Sequence, residues 1–164
     1  MGAKMADANT PETDFKLFLL AAVGLESGLM DGLTLERIAG LFPAWRVKTF
    51  NDEEIHCECP DASHEAFVLL SGRVATTFRS GAVDHVIELG AGGDVFNAGG
   101  LVDHVDCCTG ARALGAVEII AIDTQLLNSL FASDPETGYR VVKNLAKLVM
   151  QQSERRISEH LELH

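Results

Sequence analysis

The chain has 164 residues, 47% of them hydrophobic and 23% charged, which fits one folded domain with a proper core and excludes global disorder. Its 24 acidic residues against 13 basic ones give a formal net charge of −11. That balance excludes a basic nucleic-acid footprint over the whole chain and disfavours an anionic membrane surface. No apolar run reaches the roughly 20 residues that a bilayer span requires. The longest, Leu17 to Leu25, follows Glu12 and Asp14 rather than a basic cluster. It reads as a buried or partner-packed helix and not as a signal peptide, so a cytoplasmic protein is expected. The four cysteines, Cys57, Cys59, Cys107 and Cys108, are spaced poorly for a disulfide framework and are expected to be free thiols.

Residues 1–13 are small, polar and aperiodic, and read as a flexible leader. Phe15 to Phe42 has helical character, with breaks at Gly28 and Gly32. Leu33, Leu35, Ile38, Ala39 and Leu41 form an apolar stripe, Thr34 is placed to cap it, and Pro43 to end it.

From Trp45 to Asp123 the period changes. Short apolar runs follow one another: Arg46–Phe50, Glu54–Cys57, Ala66–Leu70, Val74–Phe78, His85–Leu89, Ala111–Leu114 and Val117–Ile122. Turn residues separate them, and closely spaced short strands of this kind predict an antiparallel roll or barrel. Gly72, between two such runs, is expected to serve a tight hairpin turn.

Helical character then returns. Asp123 or Thr124 caps a short helix through Leu126, Leu127, Leu130 and Phe131. Ser133-Asp134-Pro135-Glu136 combines a capping residue, Pro at the first helical position and an acid in the first turn. A helix from there to about Leu163 would be roughly 43 Å long. Val142, Ala146, Val149, Ser153, Ile157 and Leu161 recur every three to four residues along it, and its second half reads as a two-chain seam. The predicted class is therefore α+β: N-terminal helices, an antiparallel β-roll of jelly-roll or double-stranded β-helix type, then a short and a long C-terminal helix. The expected division is a leader over 1–13, a roll with its helices over 14–134, and a dimerisation helix over 135–164 of the same domain.

This order of elements resembles the cyclic-nucleotide-binding domain family. The resemblance rests on Phe67-Val68-Leu69-Leu70-Ser71-Gly72-Arg73-Val74, on Leu89-Gly90-Ala91-Gly92-Gly93-Asp94-Val95-Phe96, and on the spacing of Ala111 to Leu114, Glu118 to Asp123 and Asp134 to Glu136. It implies a non-enzymatic sensor module whose ligand, cAMP or cGMP, would lie in a cassette inside the roll. In the family, backbone N–H groups and an Arg hold the cyclic phosphate, and a Glu accepts from the ribose. The matching stretch here is Phe96-Asn97-Ala98-Gly99-Gly100-Leu101-Val102-Asp103, followed by Cys107-Cys108-Thr109. Ala98 falls at the position of the Glu and Cys107 at that of the Arg, so both charged anchors are missing. Cyclic nucleotides are expected to bind weakly or not at all.

The remaining candidate ligand-binding residues are Asn97, Gly99 and Gly100, with Cys107, Cys108 and Thr109 after the gap. Arg112 is the only Lys or Arg between Ser80 and Tyr139, and Gln152 and Ser153 on the long helix fall where family members place polar groups against the base. A homodimer through residues 142–161, with output to a partner protein, is implied. No helix-turn-helix follows the long helix before His164, so direct DNA binding is not expected.

A cupin-like metal protein or enzyme is the competing reading. Glu65 and Gly72 have the E-x6-G spacing of the first cupin motif, but the H-x-H before the Glu is missing. His56, Cys57, Cys59 and His64 form a local set of metal-binding types, with Cys57 and Cys59 on one face of a strand. No metal is assigned.

Overall fold

The computed structural model describes residues 28–55, 64–90, 92–102 and 108–163. The predicted leader, the helix across Leu17–Leu25 and the set His56, Cys57 and Cys59 lie outside the described residues.

Helix α1 spans Leu35–Leu41, and the Thr34 side chain accepts from the Arg37 amide at its start. Ile38 and Leu41 are buried, whereas Leu35 is 71% exposed and leaves the predicted stripe. Pro43 sits in a 3-10 turn, Phe42–Ala44, which turns the chain directly into the sheet. Among the described residues six strands follow: β1 (Trp45–Asn51), β2 (Glu54–Ile55), β3 (Glu65–Ser80), β4 (Val83–Leu89), β5 (Val95–Phe96) and β6 (Cys108–Asp123). The sheet order is β1-β6-β3-β4, with β2 also on β6 and β5 also on β3, and each pairing is antiparallel.

The two 16-residue strands build the roll, and here the structure corrects the sequence reading. Ala66–Leu70 and Val74–Phe78 are halves of β3, and Ala111–Leu114 and Val117–Ile122 are halves of β6. β3 and β6 pair from Glu65↔Asp123 to Phe78↔Cys108, with register shifts on either side of Ser71. Gly72 therefore serves a bend inside a strand, not a hairpin. Its φ of +88° and a built Cβ only 2.3 Å from the Ala116 carbonyl oxygen leave room for glycine alone. The hairpin lies further on, where Ser80 pairs with Val83 across Gly81-Ala82.

The pleat of β3 and β6 separates two cores. Ala66, Val68, Ile120 and Ile122 face the helices and pack with Met30, Ile38, Leu41, Leu127, Val141 and Leu145. Phe67, Leu69, Val117 and Ile119 alternate to the other face and fill the roll with Val74, Leu89 and Phe96. Burial on both faces is why these runs read as nearly continuous apolar stretches. Each fully buried large side chain, such as Phe67 or Ile119, contributes about 1.5–3 kcal/mol.

Helix α2 covers Thr124–Ser133, with the Asp123 side chain accepting from the Leu126 amide. Helix α3 runs from Pro135 to Glu162, and Asp134 caps it by accepting from the Thr137 amide. At 28 residues it is about 42 Å long. A Cβ on Gly138 would sit 2.8 Å from Phe131, so glycine is what lets α2 and α3 meet closely. Arg37 ties α1 to this junction through Glu136 and Thr137, at 3.0 and 3.3 Å. Val141 and Leu145 are buried, while Ile157 and Leu161 are 60% and 69% exposed at the far end. Among the described residues, no helix is long and apolar enough to cross a membrane.

Candidate functional site

The site lies where α3 crosses the mouth of the roll. Gly93, at φ +90°, turns the chain so that Gly93 N–H donates to the Leu69 carbonyl and Asp94 C=O accepts from Leu69 N–H, at 2.7 and 2.8 Å. This delivers β5 onto β3, with Val95 opposite Val68 and Phe96 opposite Phe67. The Phe67 and Phe96 rings stack tilted at 5.1 Å between centroids. Asn97 then adopts φ +54°, a left-handed conformation that Asn tolerates better than most residues. Its amide donates to the Glu65 carbonyl at 2.9 Å and turns the chain out of the strand. Ala98 and the single 3-10 turn Gly99–Leu101 follow.

A cavity of about 190 Å³ opens between these residues and α3. Its floor and walls include Thr76, Phe78, Leu89, Phe96, Asn97 and Ala98. Its roof is one helical face: Val149, Gln152, Ser153 and Arg156, at i, i+3, i+4 and i+7.

Two contacts hold that roof. Gln152 is buried and uses both amide atoms on one residue, accepting from Val95 N–H at 2.7 Å and donating to Val95 C=O at 3.1 Å. Beside it, Arg155 pairs with the buried Asp94 carboxylate. Arg156 lines the cavity. Its Nε is buried and meets no hydrogen-bond acceptor among the described residues. Burial pulls its pKa below the ordinary arginine value, with the Asp94 and Glu159 charges opposing and Arg155 adding to the fall. It stays a cation at neutral pH.

Of the residues expected from sequence, Asn97, Gln152 and Ser153 meet at this cavity. Gln152 is spent on the backbone of Val95, and the Ser153 hydroxyl donates to the Val149 carbonyl. Gly99 and Gly100 lie in the adjoining turn, where the Gly100 carbonyl accepts from Asn128 and so ties the turn to α2. Cys108 opens β6 opposite Phe78, and Thr109 falls at the register shift beside it. Cys107 lies outside the described residues. Arg112 is elsewhere: its guanidinium donates to the Asp52 carbonyl at 2.9 Å, and it lines a surface hollow with Arg79 and Asp84. Arg156 is the residue that the sequence reading missed. The face that carries Gln152 and Ser153 reaches it one turn later.

Among the described residues, no group of three His, Cys, Asp or Glu side chains is placed to hold a metal ion. Glu65, the cupin-spaced acid, binds Lys48 through both oxygens at 2.8 and 2.9 Å.

Neither a protein-family model nor a curated protein sequence matches the chain. Solved structures do. A cyclic nucleotide-binding domain from Methylobacillus flagellatus superposes with a TM-score of 0.72 at 14% identity, over 92% of this chain and 85% of its own. The chain has the fold of a cyclic nucleotide-binding domain. The Thermus thermophilus catabolite activator protein shares this cyclic nucleotide-binding fold at a TM-score of 0.58 and 22% identity, over 83% of this chain and 62% of its own. So does the regulatory subunit of a cAMP-independent protein kinase A from Trypanosoma brucei, whose triple mutant was solved with cAMP bound. That match has a TM-score of 0.62 and 14% identity, over 89% of this chain and 53% of the other. The chain thus spans less than two thirds of the Thermus and Trypanosoma proteins.

Proposed function

We propose that this chain is a non-enzymatic regulatory module that binds a small ligand between the roll and α3 and passes occupancy to α3. One observation carries the reading. The Gln152 side chain joins α3 to both backbone groups of Val95, the strand residue that itself lines the cavity. A ligand that displaces β5 or the turn after it therefore acts on α3 directly. The regulatory proteins among the structural neighbours support the same role.

Cyclic nucleotides are weak ligands or none in this reading. Ala98 and Cys107 stand at the positions that match the ribose Glu and phosphate Arg, and Arg112 is bonded to Asp52 away from the cavity. The neighbour named as cAMP-independent fits a scaffold kept while its ligand chemistry changes. The output passes through a homodimer formed by residues 142–161, where Val149, Met150, Ile157 and Leu161 leave an exposed apolar band. Light scattering at tens of micromolar is expected to give twice the 17.6 kDa of the chain, and a monomer mass would contradict the dimer.

Coupling is tested by filling the cavity. Ala98→Leu places a branched side chain where a ligand would sit. Hydrogen exchange across residues 146–160 is expected to change while β1 keeps its protection. Unaltered exchange in α3, in a variant whose spectrum shows the cavity filled, would overturn the regulatory reading.

A further inference from the structure

Among the described residues the cavity has one cationic group, and it does not come from the cassette that the family uses. It is Arg156, contributed by α3. The neighbouring Arg155 is committed to Asp94, whereas the Arg156 Nε is buried and meets no acceptor among the described residues. Among the described residues no carboxylate lines the cavity, although the Asp94 and Glu159 charges act on Arg156 from outside it. The other walls are largely apolar, with Phe78, Leu89, Phe96 and Val149 facing the space. At about 190 Å³ it is smaller than the roughly 300–1,000 Å³ of sites for drug-sized ligands.

We propose that this cavity takes a small organic carboxylate, its acid group on the Arg156 guanidinium and its apolar body against Phe78, Leu89 and Phe96. A carboxylate matches the guanidinium fork of the Arg156 side chain that lines the cavity. A single cation facing apolar walls suits one negative charge better than a dianion, and the net charge of −11 works against more. The inference rests on the regulatory reading above and sharpens it. Arg156 lies one turn beyond Gln152 on the same helical face, so an acid drawn to Arg156 pulls on the helix that Gln152 fastens to Val95.

The test uses the full chain, ¹⁵N-labelled, titrated with benzoate and with its neutral isostere benzamide. Benzoate is expected to bind saturably, to move the Arg156 Nε–H and Gln152 side-chain resonances, and to outbind benzamide at least about tenfold. Arg156→Gln is expected to weaken benzoate about ten- to a hundredfold, and Arg156→Lys to restore part of it. Should Arg156→Gln fail to fold, the comparison of benzoate with benzamide on the unaltered protein decides alone. Equal binding of both compounds would overturn the carboxylate assignment, and shifts at Val95 and Gln152 would still mark the cavity as a ligand site. No shift at Arg156 up to about 10 mM benzoate would also overturn it. The regulatory reading would then stand or fall separately on the Ala98→Leu experiment.

Discussion

Gln152 on α3 and Val95 on β5 are 57 residues apart and share two hydrogen bonds, so that one side chain completes the ladder of a two-residue strand. The geometry imitates an extra strand. Val95 gains a donor and an acceptor that its short pairing with β3 leaves unmet, and α3 gains a fixed register on the roll.

Gln152→Ala therefore does more than lose two bonds. It strands a backbone N–H and C=O in a buried setting, at a cost of about 1–3 kcal/mol. In a chain of this size each kcal/mol moves Tm by about 2–4 °C. A drop of several degrees is expected, with faster hydrogen exchange at the Val95 amide. An unchanged Tm together with unchanged exchange would show that the latch carries no load.

Gly72 bends β3 against Ala116, and its replacement separates two costs. A left-handed backbone costs a residue with a Cβ roughly 1–2 kcal/mol. Gly81, at φ +63° with open space around it, meets that cost alone. Gly72 adds a clash with backbone, which raises the expected loss to about 3 kcal/mol or more. Urea unfolding of Gly72→Ala and Gly81→Ala is expected to rank them in that order. Equal losses would place the bend elsewhere.

Asp134 gives the chain an acid-sensitive cap. The Thr137 hydroxyl at 2.5 Å holds its carboxyl below the usual range, with the Thr137 amide and Arg37 adding to the effect and desolvation opposing it. A carboxylate whose pKa is lowered by folding stabilises the fold above its unfolded value, near 3.9, and loses that contribution as pH falls through the folded value. Asn keeps the capping oxygen but not the charge. Asp134→Asn is thus expected to be less stable than the unaltered protein at pH 7, with the gap closing below about pH 4. A gap independent of pH would assign the whole effect to cap geometry.

Much of the fold is legible in local chemistry. Thr34, Asp123 and Asp134 cap the three α-helices of the described residues from the positions their sequence context assigns, and Pro135 opens α3. These are short-range effects, decided within one turn of chain. The break at Gly72 was legible as an interruption but not as its kind, because a bend and a hairpin differ only in what the strand pairs with afterwards. That partner, β6, lies some forty residues on.

The site divides in the same way. Asn97 and Ala98 are readable through the resemblance of residues 96–103 to the family's cassette. Arg156 is not, because its place at the cavity depends on how α3 crosses the roll. The spacing of Val149, Gln152, Ser153 and Arg156 marks them as one helical face, and packing alone says which surface that face covers.

The central claim is that a cyclic-nucleotide-binding fold persists here without cyclic-nucleotide chemistry. Calorimetric titration of the purified chain with cAMP, repeated with cGMP, tests it most directly. The account predicts no saturable binding with a Kd below about 10 µM, since a lost charge-assisted contact and an unpaired phosphate together exceed the roughly 1.5–3 kcal/mol of one such bond. Saturable binding at or below that level would contradict it, and would mean that the chain supplies an anion site for the phosphate after all.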